Sequence, residues 1–282
     1  MIWFDGSVRH SPTLTLEAGD RGLTLGDGIF ETIAVFGRVP FRLGDHLARL
    51  EDAAQVLGFP LPRATVEQAI ADLVAAMTDD HAALRITVTR GPGPRGLAPP
   101  AEPRPTVFAT LAPWSPSMAF QPIRLVTSTI RRNETSPLSR IKSLAYLDNV
   151  LAFQQAKAAG AGDALILNTA GNVASTAMAN LFVIQGEELV TPPVSDGVRP
   201  GVMRQLLLGV VSGFRPAERA VEPAGLGEAN AVFATNSLRL LCPVTALDGR
   251  ALPQNDEIVR RLSAILRDAV KAECAADPFE PE

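Results

Sequence analysis

The chain has 282 residues, of which 46% are hydrophobic and 20% charged; this excludes a disordered chain and allows two domains or one large one. A net charge of −4 gives no basis for a nucleic-acid or membrane partner. The sequence has no run of about 18 apolar residues, so no transmembrane helix is predicted. Two cysteines without metal-ligand spacing, three isolated histidines and no signal-peptide pattern in residues 1–10 predict a cytoplasmic protein with no metal site.

The first part of the chain alternates between strand and helix patterns. Predicted strands are Met1–Phe4, Gly28–Phe36, Val39–Leu43, Ala83–Thr89 and Thr106–Leu111. A tight turn at Gly37–Arg38 joins the second strand to the third. Apolar spacing of three and four residues predicts helices at Asp45–Leu57, with Asp45 as N-cap, and at Thr65–Met77, with Thr65 as N-cap. Arg90–Pro105, rich in Gly, Pro and Arg, is predicted to be a long binding loop.

Three prolines in Pro113–Pro122 predict a linker between two domains. The expected organisation is an N-terminal domain at residues 1–113, a linker at 114–122 and a C-terminal domain at 123–282. Strands are predicted at Ile123–Thr129, Ala164–Asn168 and Asn180–Ile184. Helices are predicted at Ala145–Ala159, ended by Gly160, and at Gly201–Val211 and Asn255–Ala272.

Lys142 stands directly before the most regular predicted helix, between Ile141 and Leu144. By composition alone, a lysine is a solvated surface charge. Apolar surroundings lower the pKa of a lysine amine, however, and such an amine is suited to covalent chemistry with a carbonyl compound. The residues themselves leave both interpretations open.

The run from Ile141 to Leu167, IKSLAYLDNVLAFQQAKAAGAGDALIL, resembles the cofactor-lysine segment of the class IV (fold-type IV) aminotransferases. That family includes D-amino-acid transaminases, branched-chain aminotransferases and aminodeoxychorismate lyases. Further blocks similar to the family follow in family order: residues 20–32, 46–50, 173–182, 192–204 and 235–244. The resemblance implies a two-domain α/β (α+β) fold, with a smaller N-terminal α/β domain and a larger C-terminal pseudobarrel domain.

The resemblance implies pyridoxal 5'-phosphate as the cofactor. Lys142 would hold it covalently and then carry a proton between substrate and cofactor. Arg49 would pair with the cofactor phosphate through charge-assisted hydrogen bonds. The remaining implied phosphate-binding residues offer backbone N–H or hydroxyl donors: Gly201, Val202, Thr235, Asn236 and Ser237.

Two implied cofactor positions depart from the family pattern. Ser175 stands where most members have a glutamate at the pyridine nitrogen, which keeps that nitrogen protonated and the ring a strong electron sink. A serine hydroxyl can only share a hydrogen bond, so rapid transamination is in doubt unless another acid reaches the ring. Arg199 stands where the family often packs an aliphatic side chain on the ring, and the sequence offers no reason for it.

Arg90 and Arg95 lie five residues apart in a glycine-rich loop, and arginine suits carboxylate recognition. The loop resembles the substrate-carboxylate loop of D-amino-acid transaminases and the corresponding loop of aminodeoxychorismate lyases. Arg21 is a further substrate-binding candidate, and Phe30 stands where the best-known D-specific pattern has tyrosine. In this family the loop reaches the partner subunit, which implies a homodimer.

The leading hypothesis is therefore a cytoplasmic aminotransferase that moves an amino group, preferably from a D-amino acid, to a 2-oxo acid. Aminodeoxychorismate lyase, branched-chain aminotransferase and a weakened homologue that only binds pyridoxal phosphate stay open as alternatives.

Overall fold

The computed structural model describes residues 1–11, 13–210 and 213–279, and has the mixed α/β architecture expected from the sequence. The chain divides into two compact units. Unit 1 comprises residues 1–115, residues 141–145 and the chain from Val270 onward, and unit 2 comprises residues 116–140 and 146–269. Two segments that follow the predicted linker in sequence thus belong to unit 1.

Within the described residues, unit 1 is built on a six-stranded antiparallel sheet in the order β2-β1-β6-β5-β3-β4. These strands are β1 (Ile2–Phe4), β2 (Ser7–Arg9), β3 (Gly28–Phe36), β4 (Val39–Pro40), β5 (Ala82–Thr89) and β6 (Thr106–Pro113). The helices are α1 (Arg21–Leu25), α2 (Leu43–Leu57) and α3 (Arg63–Ala75). The strand predicted at Val39–Leu43 is wrong beyond Pro40, because α2 begins at Leu43. The other predicted strands and the turn at Gly37–Arg38, where both residues have positive φ, are confirmed within two residues.

One face of this sheet carries the apolar core of unit 1. Ile29, Ile33 and Val35 of β3 pack with residues of β5, α2 and α3. Because successive strand residues point to opposite faces, Phe30 projects from the other face. The same alternation puts Glu31, which lies opposite Ile86 in the register, on the apolar side.

The helix starts in unit 1 differ from the predicted ones. α2 begins at Leu43 after Arg42, whose φ of 58° is left-handed, so the predicted N-cap Asp45 is wrong. Asp45 lies in the first turn and forms an ion pair with Arg42 at 2.6 Å. α3 begins at Arg63, so Thr65 as N-cap is also wrong. Acidic and small polar residues occur both at N-caps and in first turns, and the pattern does not separate the two positions.

Unit 2 contains, in its described part, a nine-stranded mixed sheet in the order β12-β11-β10-β13-β14-β7-β8-β9, with β15 beside β14. These strands are β7 (Ile123–Arg132), β8 (Asp163–Asn168), β9 (Val173–Thr176), β10 (Asn180–Gln185), β11 (Glu188–Thr191), β12 (Arg215–Glu218), β13 (Ala231–Asn236), β14 (Leu240–Leu247) and β15 (Arg250–Ala251). The helices are α4 (Leu147–Ala158), α5 (Val202–Val210) and α6 (Asp256–Cys274), of which the last ends in unit 1.

The strands predicted at residues 123–129, 164–168 and 180–184 are confirmed within a few residues, as are the helices. The predicted end of α5 at Val211 lies outside the described residues. α4 starts at Leu147 rather than Ala145, because residues 141–145 are extended. No helix of the described ranges has the length and apolarity needed to cross a bilayer.

Candidate active site

Lys142 lies in a short extended segment that pairs with the start of β3. The Phe30 N–H donates to the Lys142 carbonyl at 2.9 Å, and the Leu144 N–H donates to the Gly28 carbonyl at 2.8 Å. The strand approaches so closely here that a Cβ at Gly28 would lie 2.7 Å from a Leu144 methyl carbon. The backbone of β3 therefore fixes the position of the lysine.

The Lys142 side chain lies on the same face of the sheet as the Phe30 ring. Its Nζ is 4.1 Å from the ring centroid, within the range of a cation–π contact. The guanidinium carbon of Arg85, two positions along the facing strand β5, is 3.7 Å from the same centroid. Phe30 is buried, whereas Arg85 is exposed. An amine, an aromatic ring and a guanidinium thus come together on the face that α2 and α3 leave uncovered.

On the opposite face, Glu31 forms a buried charge network with two residues of α2. Arg49 donates from Nε and Nη2 to the two carboxylate oxygens at 2.8 and 2.7 Å, and His46 Nδ1 lies 2.8 Å from Oε2. Glu31 and His46 are each 1% exposed. Burial by itself raises the pKa of Glu31, but the charge of Arg49 and the hydrogen bonds from His46 and Arg49 outweigh it and hold the pKa well below its ordinary value.

This network bears on the phosphate-binding role predicted for Arg49. Its guanidinium is held in a bidentate, fork-like contact with a carboxylate of its own subunit. The side chain keeps 13% of its surface exposed, so the contact orients Arg49 without burying it completely. Pairing with a cofactor phosphate stays a prediction.

Two of the three arginines predicted to bind substrate form ion pairs within the fold. Arg90 is buried; it pairs with Asp27 at 2.8 Å and donates to the carbonyls of Leu57 and Gly58 at the end of α2. Arg21 is also buried and pairs with the same Asp27 oxygen at 2.8 Å. Both guanidinium groups therefore hold the fold together, and a role for either in substrate binding stays a prediction.

The loop between β5 and β6 is held in place by Arg21. Its two Nη atoms donate to the carbonyls of Gly96, Leu97 and Ala98 at 3.0–3.2 Å. A Cβ at Gly91, which has a φ of 87°, would lie 1.9 Å from the Arg104 carbonyl oxygen, so this position requires glycine. Arg95, next to the anchored carbonyls, is exposed.

In unit 2, Asn180 holds the turn that leads into α5. Its Nδ2 donates to the Arg199 carbonyl at 2.9 Å, and a Cβ at residue 201 would lie 1.9 Å from its Oδ1. Gly201 is therefore needed for this close approach. The first intrahelical bond runs from Gln205 N–H to the Gly201 carbonyl, so the preceding amides, beginning with Val202, are oriented as at any helix N-terminus, which favours an anion.

Thr235 lies directly opposite Asn180 in the pairing of β10 with β13. Its hydroxyl is buried and has no hydrogen-bond partner. Asn236 closes the following turn by accepting from the N–H groups of Leu238 and Arg239, and Ser237 lies in that turn. The structure thus brings Gly201, Val202 and Thr235 to one place through Asn180, and leaves there a hydroxyl and helix-terminal amides that suit a phosphate group.

Ser175 is partly buried on β9 and faces the same side of the sheet as Ile166. The next residue, Thr176, donates to the Asp163 carboxylate at 2.7 Å on the other side. Burial raises the pKa of Asp163. Because Asp163 lies on the opposite face of β9, it does not replace the carboxylate that the family has at position 175.

Arg199 contacts Tyr146 at the start of α4. Its Nη1 donates to the phenol oxygen at 3.2 Å, its guanidinium carbon is 5.3 Å from the ring centroid, and its Nε is buried without a partner. Nothing in the sequence indicates this contact. Arg85 is also absent from the predicted site residues, although its place on the polar side of the alternating run ALRITVT is a signal for an exposed functional side chain.

The comparisons with known proteins agree with this architecture. The family model for class IV amino-transferases matches residues 28–247. The crystal structure of 4-amino-4-deoxychorismate lyase from Pseudomonas aeruginosa is 36% identical, with a TM-score of 0.85, over 95% of this chain and 98% of that one. D-alanine aminotransferase of Bacillus licheniformis is 27% identical over 97% of this chain and 98% of its own. The branched-chain-amino-acid aminotransferase of Escherichia coli K12 is 25% identical over 88% of this chain and 85% of its own. The family resemblance and the fold-type IV architecture are confirmed, and the chain belongs to the class IV aminotransferase family.

Proposed function

We propose that this protein is a pyridoxal-phosphate-dependent aminotransferase that moves the amino group of an amino acid, preferably a D-amino acid, to a 2-oxo acid. The observation that carries the proposal is the placement of Lys142, whose amine is fixed by the backbone of β3 beside Phe30 and Arg85. Class IV aminotransferases depend on pyridoxal phosphate, which supports the cofactor assignment.

The predicted cofactor-binding residues suit pyridoxal phosphate chemically. Lys142 would supply the amine that holds the cofactor covalently. In unit 2, the N-terminus of α5 and the buried, unpartnered Thr235 hydroxyl offer donors to a phosphate group. We assign Gly201, Val202 and Thr235–Ser237 to the phosphate, and Arg49 as a further ion-pair partner whose direction Glu31 sets.

Lys142 also performs the proton transfer. When bound, pyridoxal phosphate supplies an electron sink that stabilises the negative charge left when a proton leaves the carbon bearing the amine. The Nζ of Lys142 would take up that proton and later release it, and so would act first as a general base and then as a general acid. The Phe30 ring beside Nζ excludes water from one side of the amine.

Arg85 and Arg95 are the arginines that we assign to the substrate carboxylate. Arg85 is exposed, and its guanidinium contacts the same Phe30 ring as the amine of Lys142. Arg95 is exposed at the tip of a loop that Arg21 anchors. The likeness to D-alanine aminotransferase supports the preference for D-amino acids.

A second candidate function is 4-amino-4-deoxychorismate lyase, which releases pyruvate and 4-aminobenzoate. The 36% identity to the Pseudomonas aeruginosa lyase favours it. Ser175 is compatible with it, because an elimination demands less of the ring nitrogen than a full transamination.

The aminotransferase reaction needs a 2-oxo acid as acceptor, whereas the lyase reaction does not, and this difference distinguishes the two. The protein is saturated with pyridoxal phosphate, and its absorption spectrum is recorded before and after D-alanine, D-glutamate or L-leucine is added. We expect the cofactor band to change with a D-amino acid, and the amino group to appear on 2-oxoglutarate. Pyruvate released from 4-amino-4-deoxychorismate with no 2-oxo acid present would instead identify the lyase. A bound cofactor that no amine alters would contradict both and leave the weakened homologue.

We also propose a homodimer. Leu147, Val150 and Leu151 form an exposed apolar stripe on α4, with Leu147 72% exposed. An apolar stripe of this kind on a helix is typical of a surface that is covered in the assembled protein. Light scattering is expected to give about twice the 29.9 kDa of one chain, and a mass of one chain would exclude the dimer.

A further inference from the structure

Residues 273–279, which we call the strap, comprise the last two residues of α6 and the segment after it, and they belong to unit 1. Cys274, where α6 ends, is buried, and Ala275 has a left-handed φ of 50°. This conformation is disfavoured for alanine and persists where surrounding contacts hold it. The strap is therefore kept in place by the residues against which it packs.

The strap packs on the turn between β3 and β4. A Cβ at Gly37, whose φ is 56°, would lie 2.8 Å from the Ala276 methyl carbon, so a larger residue at this turn would displace the strap. The centroid of the Phe279 ring lies 6.2 Å from that of Phe36 and 5.9 Å from that of Trp114, in edge-to-face geometry. These contacts fasten the strap to the end of β3.

Glu273, the first residue of the strap, caps the N-terminus of α2. Its Oε1 accepts the N–H of Arg42, the N-cap residue of α2, at 2.7 Å. In a capping box, this N–H is satisfied by an acid or amide three residues later. That position holds Asp45, which instead pairs with the Arg42 guanidinium. A carboxylate 231 positions away thus completes the cap, and its charge suits the positive end of the helix dipole.

The first turn of α2 connects this cap to the charge network around Glu31. The Arg42 carbonyl accepts the His46 N–H at 3.1 Å, which is the first intrahelical bond of α2. His46 Nδ1 lies 2.8 Å from Glu31 Oε2, and Arg49 Nη2 donates to the same oxygen at 2.7 Å. A shift of the first turn therefore moves His46 and, through the shared oxygen of Glu31, changes the direction of the Arg49 guanidinium.

We propose that Glu273 is a positioning residue for Arg49: held by the strap, it fixes the first turn of α2 and thereby sets the affinity for the phosphate group of the cofactor. The inference rests on the proposed function, in which Arg49 is a partner of that phosphate. Glu273 acts through α2 and needs no contact with the cofactor. Its effect therefore concerns pyridoxal 5'-phosphate and not pyridoxal, which has the aldehyde but lacks the phosphate.

Titration of the ligand-free protein with each of these two aldehydes, followed by absorption, measures both affinities. We expect Glu273→Ala to weaken pyridoxal phosphate binding about fivefold, the factor that corresponds to one lost helix cap, and to leave pyridoxal binding unchanged. Phe279→Ala, which removes the ring that fastens the strap, should act in the same direction. Glu273→Gln keeps an oxygen that can accept the Arg42 N–H and should largely restore the affinity. Glu257→Ala is the matched control, because Glu257 is an exposed acid in the first turn of α6.

Two further measurements show the route of the effect. If Glu273 acts through Arg49, then Glu273→Ala should cause no additional loss of pyridoxal phosphate affinity in an Arg49→Met background. Hydrogen–deuterium exchange of the ligand-free protein needs no cofactor. The amides of α2 should exchange faster in Glu273→Ala than in the wild type, and at the wild-type rate in Glu257→Ala.

Thermal unfolding shows whether each variant is folded, and Phe279→Ala carries the comparison if Glu273→Ala is not. An equal loss of affinity for both aldehydes would show that Glu273 only stabilises the fold, and it would overturn the inference. An unchanged affinity for pyridoxal phosphate, or the same loss in the Arg49→Met background, would also overturn it. Failure of the wild type to bind pyridoxal phosphate would instead refute the proposed function, and the exchange rates of α2 would then decide whether Glu273 holds the helix start.

Discussion

Lys142→Ala is expected to lose the covalent link to pyridoxal phosphate and at least about three orders of magnitude in the rate of amino-group transfer. The reason is that one amine serves both as the covalent attachment and as the group that moves the proton. Borohydride treatment of the loaded wild-type protein, followed by peptide mass mapping, is expected to fix the cofactor on Lys142. The variant should show no labelled peptide.

The controls for this experiment are the other lysines of the chain, Lys157 and Lys271. Lys157 lies on α4 with its Nζ 5.4 Å from the Phe153 ring centroid. Like Lys142, it has an amine beside a phenylalanine ring, but it does not pair with β3. Lys157→Ala and Lys271→Ala should keep both the label and the activity. Label found on Lys157 in the wild type, or full activity in Lys142→Ala, would contradict the assignment.

Glu31→Gln is expected to lower the free energy of unfolding by about 3–5 kcal/mol, the range for breaking a buried ion pair. Glutamine keeps the volume but removes the charge, and this leaves Arg49 without its counter-ion and His46 with a weaker partner. Urea denaturation measures the effect. Glu51→Gln removes the carboxylate that lies 2.8 Å from Arg63 at the exposed surface, where water screens the ion pair, and it should change the free energy of unfolding much less.

A double-mutant cycle of Glu31→Gln with Arg49→Met separates the interaction energy between the two side chains from the effects of each substitution on cavities and packing. A coupling energy near zero would show that the ion pair does not stabilise the fold. If Glu31 also directs Arg49 toward the cofactor phosphate, Glu31→Gln should weaken pyridoxal phosphate binding by about tenfold at a concentration of urea where both proteins are folded. An unchanged affinity for pyridoxal phosphate would show that Glu31 has a structural role only.

The stabilisation by Glu31 has a defined dependence on pH. Since the pKa of this carboxyl in the folded protein lies below its ordinary value of 4.5, its contribution is fully present above about pH 4.5 and is lost as the pH falls toward the folded-state value. The difference in unfolding free energy between the wild type and Glu31→Gln should therefore be constant from pH 7 to pH 5 and shrink below pH 4.5. A difference that grows with acidification would contradict the charge network.

The substrate loop shows where reasoning from sequence falls short. Arg90 and Arg95 are equivalent in the sequence, as two arginines in a glycine-rich loop. Only the fold separates them, because Arg90 lies where the end of α2 presents the carbonyls of Leu57 and Gly58 and where Asp27 meets it, whereas Arg95 stays exposed. Burial and partners are properties of the tertiary structure, and no local pattern encodes them.

Local sequence patterns are enough to predict several of the elements. The strand predicted at Gly28–Phe36 is correct at both ends, and the helix predicted at residues 255–272 is correct to within two residues. The family blocks around Lys142 and Thr235 gave the fold type. Such signals are local, because a strand or helix imposes its period on consecutive residues.

Which charges are neutralised depends on contacts that form in the folded chain. Glu31 reads as an ordinary strand residue until α2 brings Arg49 and His46 to the core face of β3. Arg199 is unexplained by its neighbours in sequence until Tyr146, 53 positions away, meets its guanidinium. The segment at Lys142 belongs to unit 1 and pairs with β3, more than a hundred residues earlier in the chain. Ion pairs and strand pairing join residues distant in sequence, so their energy depends on the assembled fold and not on local pattern.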